Sequence, residues 1–317
     1  MRQVFVYEYL SGGGPVGDEA GADALMPQGL AMRDALVADL LRSGDCDVTV
    51  ATCARAGGTP AGAAEVAASD GETPQHFVAR QAQRHDAVWV IAPESDGCLA
   101  GFEHVVGAPR WLGCDAHSIA IASSKGATLE HLSARGVATP LSAVEHQAGQ
   151  RWVVKPDDGA GAMNTRVHAG LALAQADAQA RRDTGVATWL EPWIEGEPLS
   201  LSLLSELGQA ELLSVNRQRI TVAGDGVLAY RGVEIDVIPP ADRRRSALAA
   251  LAARVAAALP GLRGFVGVDV VWSERHGPVV IEVNPRLTCS YVGLSQRLGR
   301  CIAGEVLALQ RLEHVHA

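Results

Sequence analysis

Two rhythms of apolar residues run along this chain, and they predict different elements. Val4-Phe5-Val6-Tyr7, Val48-Thr49-Val50 and Ala87-Val88-Trp89-Val90-Ile91 are short apolar runs bounded by turn-forming or polar residues, as in buried strands. Between them, Leu30 to Leu41 and Gln75 to Arg84 repeat apolar positions at helical spacing. Strand, glycine loop, helix, strand is the order of a doubly wound sheet, whose ligands sit beyond the strand ends. The loop Ser11-Gly12-Gly13-Gly14-Pro15 lacks the G-x-G-x-x-G spacing, which argues against a dinucleotide site. Gly12, Gly13 and Gly14 are read as a substrate cradle or, equally, as a flexible turn. The stretch from Arg55 to Pro74, dense in Ala, Gly and Thr, predicts a surface loop or a weak helix. Glu94 and Asp96, just past the third strand, are placed to hold an amine or to serve a solvated turn with a helix cap.

The pattern changes at Asp115. Asp115 is expected to cap a helix that carries Ser123-Ser124-Lys125, and a second helix, Thr128 to Arg135, ends at Gly136. Trp152-Val153-Val154-Lys155-Pro156 reads as a strand, Asp157 to Ala162 as a mobile glycine loop, and Thr165-Arg166-Val167 as a second strand. An Ala-rich helix follows from Leu171 to Arg182, and Glu191-Pro192-Trp193-Ile194 then links to Glu195-Gly196-Glu197. Alternation in Leu199 to Leu204 and in Glu211 to Val215 predicts antiparallel strands. Arg243-Arg244-Arg245 is taken as the solvated start of a helix. The expected division is an N-terminal lobe over 1–113, a small α+β lobe over 114–190 and a larger lobe over 191–317.

Within that last lobe, Phe265 to Trp272 and Val279 to Arg286 are joined by a polar Glu-Arg-His-Gly turn and predict a hairpin. It would bring Asp269 near Glu282 and Asn284, which stand two residues apart and so share a face. Two carboxylates and an amide oxygen are hard ligands of the kind Mg²⁺ prefers. Arg286 continues the face as a positive charge suited to phosphate; in the plainer reading the acids merely pair with it.

Composition narrows the partners. At 317 residues there is room for two or three lobes. A net charge of −9 and 4% aromatic residues argue against nucleic acid and toward small metabolites. Six scattered cysteines with no Cys-x-x-Cys pair predict free thiols, and no apolar leader or span is visible, so a cytoplasmic protein off the membrane is expected. The 27 basic residues include only two lysines, Lys125 and Lys155, so their placement is informative. Lysine acts as a point charge on phosphate, and Lys155 leads into a loop whose Gly159 and Gly161 let backbone N–H groups close over phosphates. Backbone groups of Trp193 and Ile194 are candidates to meet a purine, and Glu197 to accept from ribose hydroxyls. Surface lysines and a plain hinge are the alternatives.

Taken in order, Lys125, Lys155, the glycine loop, Glu-Pro-Trp-Ile-Glu-Gly-Glu, Asp269 and Ile-Glu-Val-Asn-Pro-Arg resemble the ATP-grasp superfamily over the last two-thirds of the chain. The resemblance implies an α/β, ATP-grasp fold: a doubly wound pre-ATP-grasp domain and two α+β lobes clasping ATP, with Glu191 among the nucleotide-binding residues. It further implies two Mg²⁺ ions, replaceable by Mn²⁺, on Asp269, Glu282 and Asn284. Arg286 would then stabilise the transferring phosphoryl group or the acyl oxygens, and Arg217, Arg219 and Arg231 would face the triphosphate or the carboxylate or, equally, pair with nearby acids on the surface. Tyr7 to Gly14 and Asn284 to Tyr291 are similar, more narrowly, to the tyramine–L-glutamate ligases of methanofuran-type cofactor biosynthesis. That similarity implies an acid and an amine as substrates, with Gly12 to Gly14, Thr288 and Ser290 facing them, and it is compatible with a homodimer. A dipeptide ligase of the D-alanine–D-alanine type, a carboxylase subunit and a non-catalytic ATP sensor are the competing readings.

Overall fold

The computed structural model describes residues 1–15, 19–143, 149–159 and 163–316. The chain opens with β1 (Arg2–Glu8), α1 (Glu19–Ser43), β2 (Cys46–Ala51), β3 (Ala64–Val66), α2 (Pro74–Ala82), β4 (Ala87–Ile91) and α3 (Cys98–Val106). Next come α4 (Ala116–Ala122), α5 (Lys125–Ala134), β5 (Trp152–Pro156), β6 (Arg166–His168), α6 (Leu171–Asp183) and β7 (Thr188–Pro192). The remainder is β8 (Glu197–Glu206), β9 (Gln209–Val222), β10 (Leu228–Glu234), α7 (Arg243–Ala258), β11 (Gly264–Ser273), β12 (Gly277–Asn284), α8 (Leu294–Leu298) and α9 (Ile302–His316).

Among the described residues three sheets form. The first, in the order β3-β2-β1-β4, is parallel throughout, as its continuous apolar strands require of a sheet covered on both faces. The second, β6-β5-β7, and the third, β10-β9-β8-β11-β12, are antiparallel. In the third sheet Leu199, Leu201, Leu203, Val266, Val268 and Val270 share a core with Leu248, Leu251 and Val255 of α7. Alternation then turns Ser200, Ser202 and Asp269 to the opposite face.

Several local expectations change. The first helix starts at Glu19 and runs through Pro27 rather than beginning at Leu30. The segment from Arg55 to Pro74 is largely irregular but holds the short edge strand β3. Lys125 does not lie on the Asp115-capped helix: that helix stops at Ala122, and Lys125 opens α5. The break comes from Ser124, which is extended and whose side chain accepts from Ala127 N–H as an N-cap. The arginine triplet is not simply solvated. Arg244 pairs with Glu197 at 2.7 Å and Asp242 at 2.9 Å, and Arg245 donates to Ile238 O at 2.7 Å.

The tail after the hairpin was expected to run toward substrates. Instead Leu287 and Tyr291 enter a core shared with Val4, Leu36 and Leu40. Tyr291 OH donates to the buried Asp39 carboxylate at 2.6 Å, and Ser295 Oγ also bonds that carboxylate. Burial, followed by the Asp39 charge, holds the Tyr291 hydroxyl well above its ordinary pKa. Tyr291→Phe removes one donor to a buried charge and is expected to lower unfolding stability by about 1–3 kcal/mol. Urea denaturation followed at two wavelengths would measure it; an unchanged midpoint would contradict the assignment.

Candidate active site

The hairpin forms where expected, and its register decides the site. Asp269 stands opposite Glu282 on β12 and opposite Ser200 on β8, while Gly267 pairs with Asn284 and Ser202. Asp269, Glu282 and Asn284 therefore share one face of the sheet. A register shift follows immediately between Asp269 and Val270, which bends the strands at the acid pair. Burial, and then the facing Glu282 charge, push the Asp269 carboxyl up to about 7, although Gln218, Asn284 and Arg286 pull the other way. Two acids forced together with an amide oxygen beside them make a hard-oxygen donor set that fits Mg²⁺.

Lys125 supplies part of the missing positive charge. Its Nζ lies 3.4 Å from Glu282 Oε1 and donates to Gly159 O at 2.8 Å, joining the hairpin to the glycine loop. The start of α5 is docked on that loop: Lys125 N–H donates to Asp157 O at 2.8 Å and Gly126 N–H to Asp157 Oδ1 at 2.9 Å. Gly126 is required by proximity, because a Cβ there would stand 2.7 Å from the Trp189 ring. Gly161 lies outside the described residues. Lys155 is buried and pairs with Glu191 at 2.8 Å, and Trp189 Nε1 donates to the other Glu191 oxygen at 2.9 Å. A buried cation thus sits at the mouth of β5 with its counter-ion on β7, across one register pair from Trp189.

Other expected residues are placed differently. Trp193 N–H donates to Arg151 O at 2.9 Å and is not open to a purine, while its carbonyl accepts one bond, from Gln150 at 3.0 Å. Ile194 is buried beside it. Arg217 pairs in register with Leu199, on the α7 side, away from Asp269. There it holds Glu197 at 2.7 Å, whose second oxygen takes Arg244, so both carboxylate oxygens of the supposed ribose acceptor are bonded to arginine. Arg231 is exposed, in the irregular register between Tyr230 and Val233. The Gly12 to Gly14 loop is a tight turn rather than a flexible one. Gly12 N–H and Gly14 N–H donate to Glu8 O and Tyr9 O at 2.7 Å each, and a Cβ at either glycine would meet a tyrosine ring. Thr288 Oγ1 and Ser290 Oγ are 2.9 Å apart, and Ser290 is buried against Ser202 at 2.9 Å.

Arg286 does not pair with the metal-ligand acids. Its Nη2 donates to Glu94 Oε2 at 2.9 Å, and its Nε stands 2.9 Å from Glu94 Oε1. The supposed amine-binding Glu94 is therefore occupied by an arginine from the third sheet's hairpin. Sequence reasoning missed this pair, and it missed a buried polar row on the site face. In that row Asn216 Nδ2 donates to Ser202 Oγ at 3.0 Å, and Ser214 Oγ donates to Asn216 Oδ1 at 3.0 Å. The signal was present as Leu-Ser-Leu-Ser-Leu in residues 199–203, where hydroxyls alternate with core residues in a strand covered on both faces.

Comparison with known proteins places this geometry. The ATP-grasp domain family matches residues 122–290, and the pre ATP-grasp 3 domain matches residues 46–119. No match was found among curated protein sequences. An ATP-grasp superfamily protein from Archaeoglobus fulgidus superposes with a TM-score of 0.70 at 21% identity, covering 97% of this chain and 88% of that one. An L-amino acid ligase from Bacillus licheniformis gives 0.65 at 17% identity, covering 97% and 74%. The biotin carboxylase domain of the Hydrogenobacter thermophilus 2-oxoglutarate carboxylase, solved with MgADP and bicarbonate, gives 0.70 at 15% identity, covering 98% and 69%. At these identities the solved structures speak for the fold alone.

The raised Asp269 carboxyl has a pH consequence. Without metal, the folded protein holds this proton more tightly than the unfolded chain, so the contribution is full below the unfolded pKa, near 4, and is lost as pH rises through about 7. Asp269→Asn is therefore expected to raise the metal-free melting temperature more at pH 8 than at pH 5.5. Thermal melts of both proteins in chelator would show it; equal shifts at the two pH values would refute the pairing.

Proposed function

The chain belongs to the ATP-grasp family, and from that premise we propose that it is an ATP-dependent carboxylate–amine ligase that forms ADP and phosphate. ATP-grasp enzymes are ATP-dependent ligases that use ATP with Mg²⁺. The observation that carries the reading is Lys125, whose ammonium touches both the Glu282 carboxylate and the Gly159 carbonyl. That places one cation between the proposed metal ligands and the proposed phosphate loop, as a triphosphate laid across them would require. Asp269, Glu282 and Asn284 would hold Mg²⁺, which supplies charge neutralisation of phosphate oxygens when bound.

In this reading a carboxylate oxygen attacks the γ-phosphorus of ATP, the bond to the β-phosphate oxygen breaks, and ADP leaves an acyl-phosphate. An amine then attacks the acyl carbon, the carbon–oxygen bond to phosphate breaks, and the amine's extra proton leaves with phosphate. The chain's own residues position these anions. Lys155, held by Glu191, presents charge at the nucleotide side, Lys125 spans loop and hairpin, and Arg286 faces the transferring group. The N-terminal lobe, with Thr288 and Ser290 after Arg286, is proposed to choose the substrates, while Leu287 and Tyr291 of that segment serve the core. L-Glutamate as acid and tyramine or a tyrosine-like amine, in methanofuran-type cofactor synthesis, are supported by the two stretches Tyr7 to Gly14 and Asn284 to Tyr291. Six free cysteines suit a reducing cytoplasm, and among the described residues no helix is long and apolar enough to cross a membrane.

The test is ADP formation over a panel of acids and amines, with bicarbonate included, and identification of the amide by mass spectrometry. Glu282→Ala is expected to lower Mg²⁺-dependent turnover by about 10²-fold or more while the protein stays folded. Unchanged turnover in that variant would sink the metal assignment, and ADP formation stimulated by bicarbonate alone would favour a carboxylase.

A further inference from the structure

Resting on the ligase reading, the geometry points to Glu94 as a positioning residue that fixes the guanidinium of Arg286 for the group being transferred. Glu94 is 4% exposed and lies 192 residues from its partner, so the pair is a tertiary device and not a local surface contact. Its Oε2 accepts a hydrogen bond from Nη2 at 2.9 Å, and its Oε1 stands 2.9 Å from Nε as a charge contact without hydrogen-bond geometry, so the carboxylate ties down one end of the guanidinium. Nη1 donates to Leu287 O at 3.3 Å, restraining the other end. The Glu282 charge also favours the charged form of Arg286. Burial works against the arginine's charge, and the Glu94 carboxylate is the largest influence that restores it.

The loop that carries Glu94 makes a second contact that links this pair to the phosphate loop. Asp96 N–H donates to Asp158 Oδ2 at 3.1 Å, and a Cβ on Gly159 would stand 3.7 Å from Ser95 Oγ. Residues 94–96 of the first lobe therefore touch the glycine loop of the second and the hairpin exit of the third. Arg286 on its own would carry its charge on a flexible stem. With Glu94 it becomes an oriented donor whose angle to the phosphate loop is set from outside both ATP-grasp lobes.

An ion pair that merely clamped the lobes would predict a different set of measurements. Glu94→Gln keeps the shape, removes the charge and leaves Arg286 without its counter-ion. Turnover is expected to fall about 10- to 100-fold. MgADP affinity by calorimetry should stay near wild type, because Glu94 touches neither Lys155 nor Glu191. Inorganic phosphate, titrated in the presence of MgADP, should bind several-fold tighter to the uncompensated guanidinium. Glu94→Asp retains the charge but shortens the reach, so it should lower turnover without tightening phosphate. If Glu94→Gln fails to fold, Glu94→Asp carries the test, and wild-type turnover in that variant overturns the inference. Unchanged phosphate affinity in a folded Glu94→Gln protein also overturns it. Should no acid and amine stimulate the wild type, the ligase reading fails while the phosphate titration still judges the pair.

Discussion

Two carboxylates facing each other across a pair of strands are the constraint to which the rest of this site answers. Burial and the facing Glu282 charge raise the Asp269 carboxyl, so this pair calls for positive charge nearby. The fold brings that charge from separate places: Lys125 from the start of a helix, and Arg286 from the exit of the same hairpin. Neither cation is a free surface residue. Lys125 is anchored to the glycine-loop carbonyl and Arg286 to Glu94. The site is thus an unfinished charge balance, close enough to neutral to fold and short of the positive charge that a metal would add.

That balance ties the three sheets to one another. A loop from the parallel sheet holds the arginine of the large antiparallel sheet and a backbone-bonded aspartate of the small one. The large sheet's two faces divide the labour. Leu199, Leu201, Val268 and Val270 pack on α7, whereas Ser200, Ser202 and Asn216 build a hydrogen-bonded floor beside the acids. Glu197, Arg217 and Arg244 then form an ionic cluster on the α7 side. Arginines that look interchangeable in sequence are separated by strand parity into those that can face the acids and those that cannot.

Much of this was legible in the amino-acid order, for reasons that can be named. The hairpin was visible because β-branched runs with a polar turn have few other solutions. Lys125 and Lys155 stood out because the chain otherwise uses arginine. The α/β order of the first lobe followed from apolar runs separated by helical spacing. What escaped were relations that no local pattern encodes. The Glu94–Arg286 pair joins residues whose neighbourhoods each have a plausible local explanation, a solvated turn and a phosphate-facing strand end. Nothing in the run Asn284 to Tyr291 marks Tyr291 as a core residue, yet its hydroxyl donates to a buried carboxylate on α1. The faces taken by Arg217 and Glu197 follow from the register of β8 with β9, which the order of residues alone does not give. Lys125 was put on the wrong helix because Ser123 and Ser124 continue a helical pattern that the Ser124 cap ends.

The last long helix, α9, lies in the same core as β1, β2 and α1: Ile302, Ala303, Val306 and Leu307 pack with Val4, Leu36, Val37 and Leu40. The first lobe's apolar outer face is therefore closed by residues that leave the ribosome some 250 positions later than the strands they cover, as the separation of Val48 from Ile302 shows. During synthesis that face stays open until α9 has emerged. Long-range closure of this kind slows folding. A cell starved in mid-translation would hold a half-dressed parallel sheet, prone to stick to its neighbours, rather than a finished first domain.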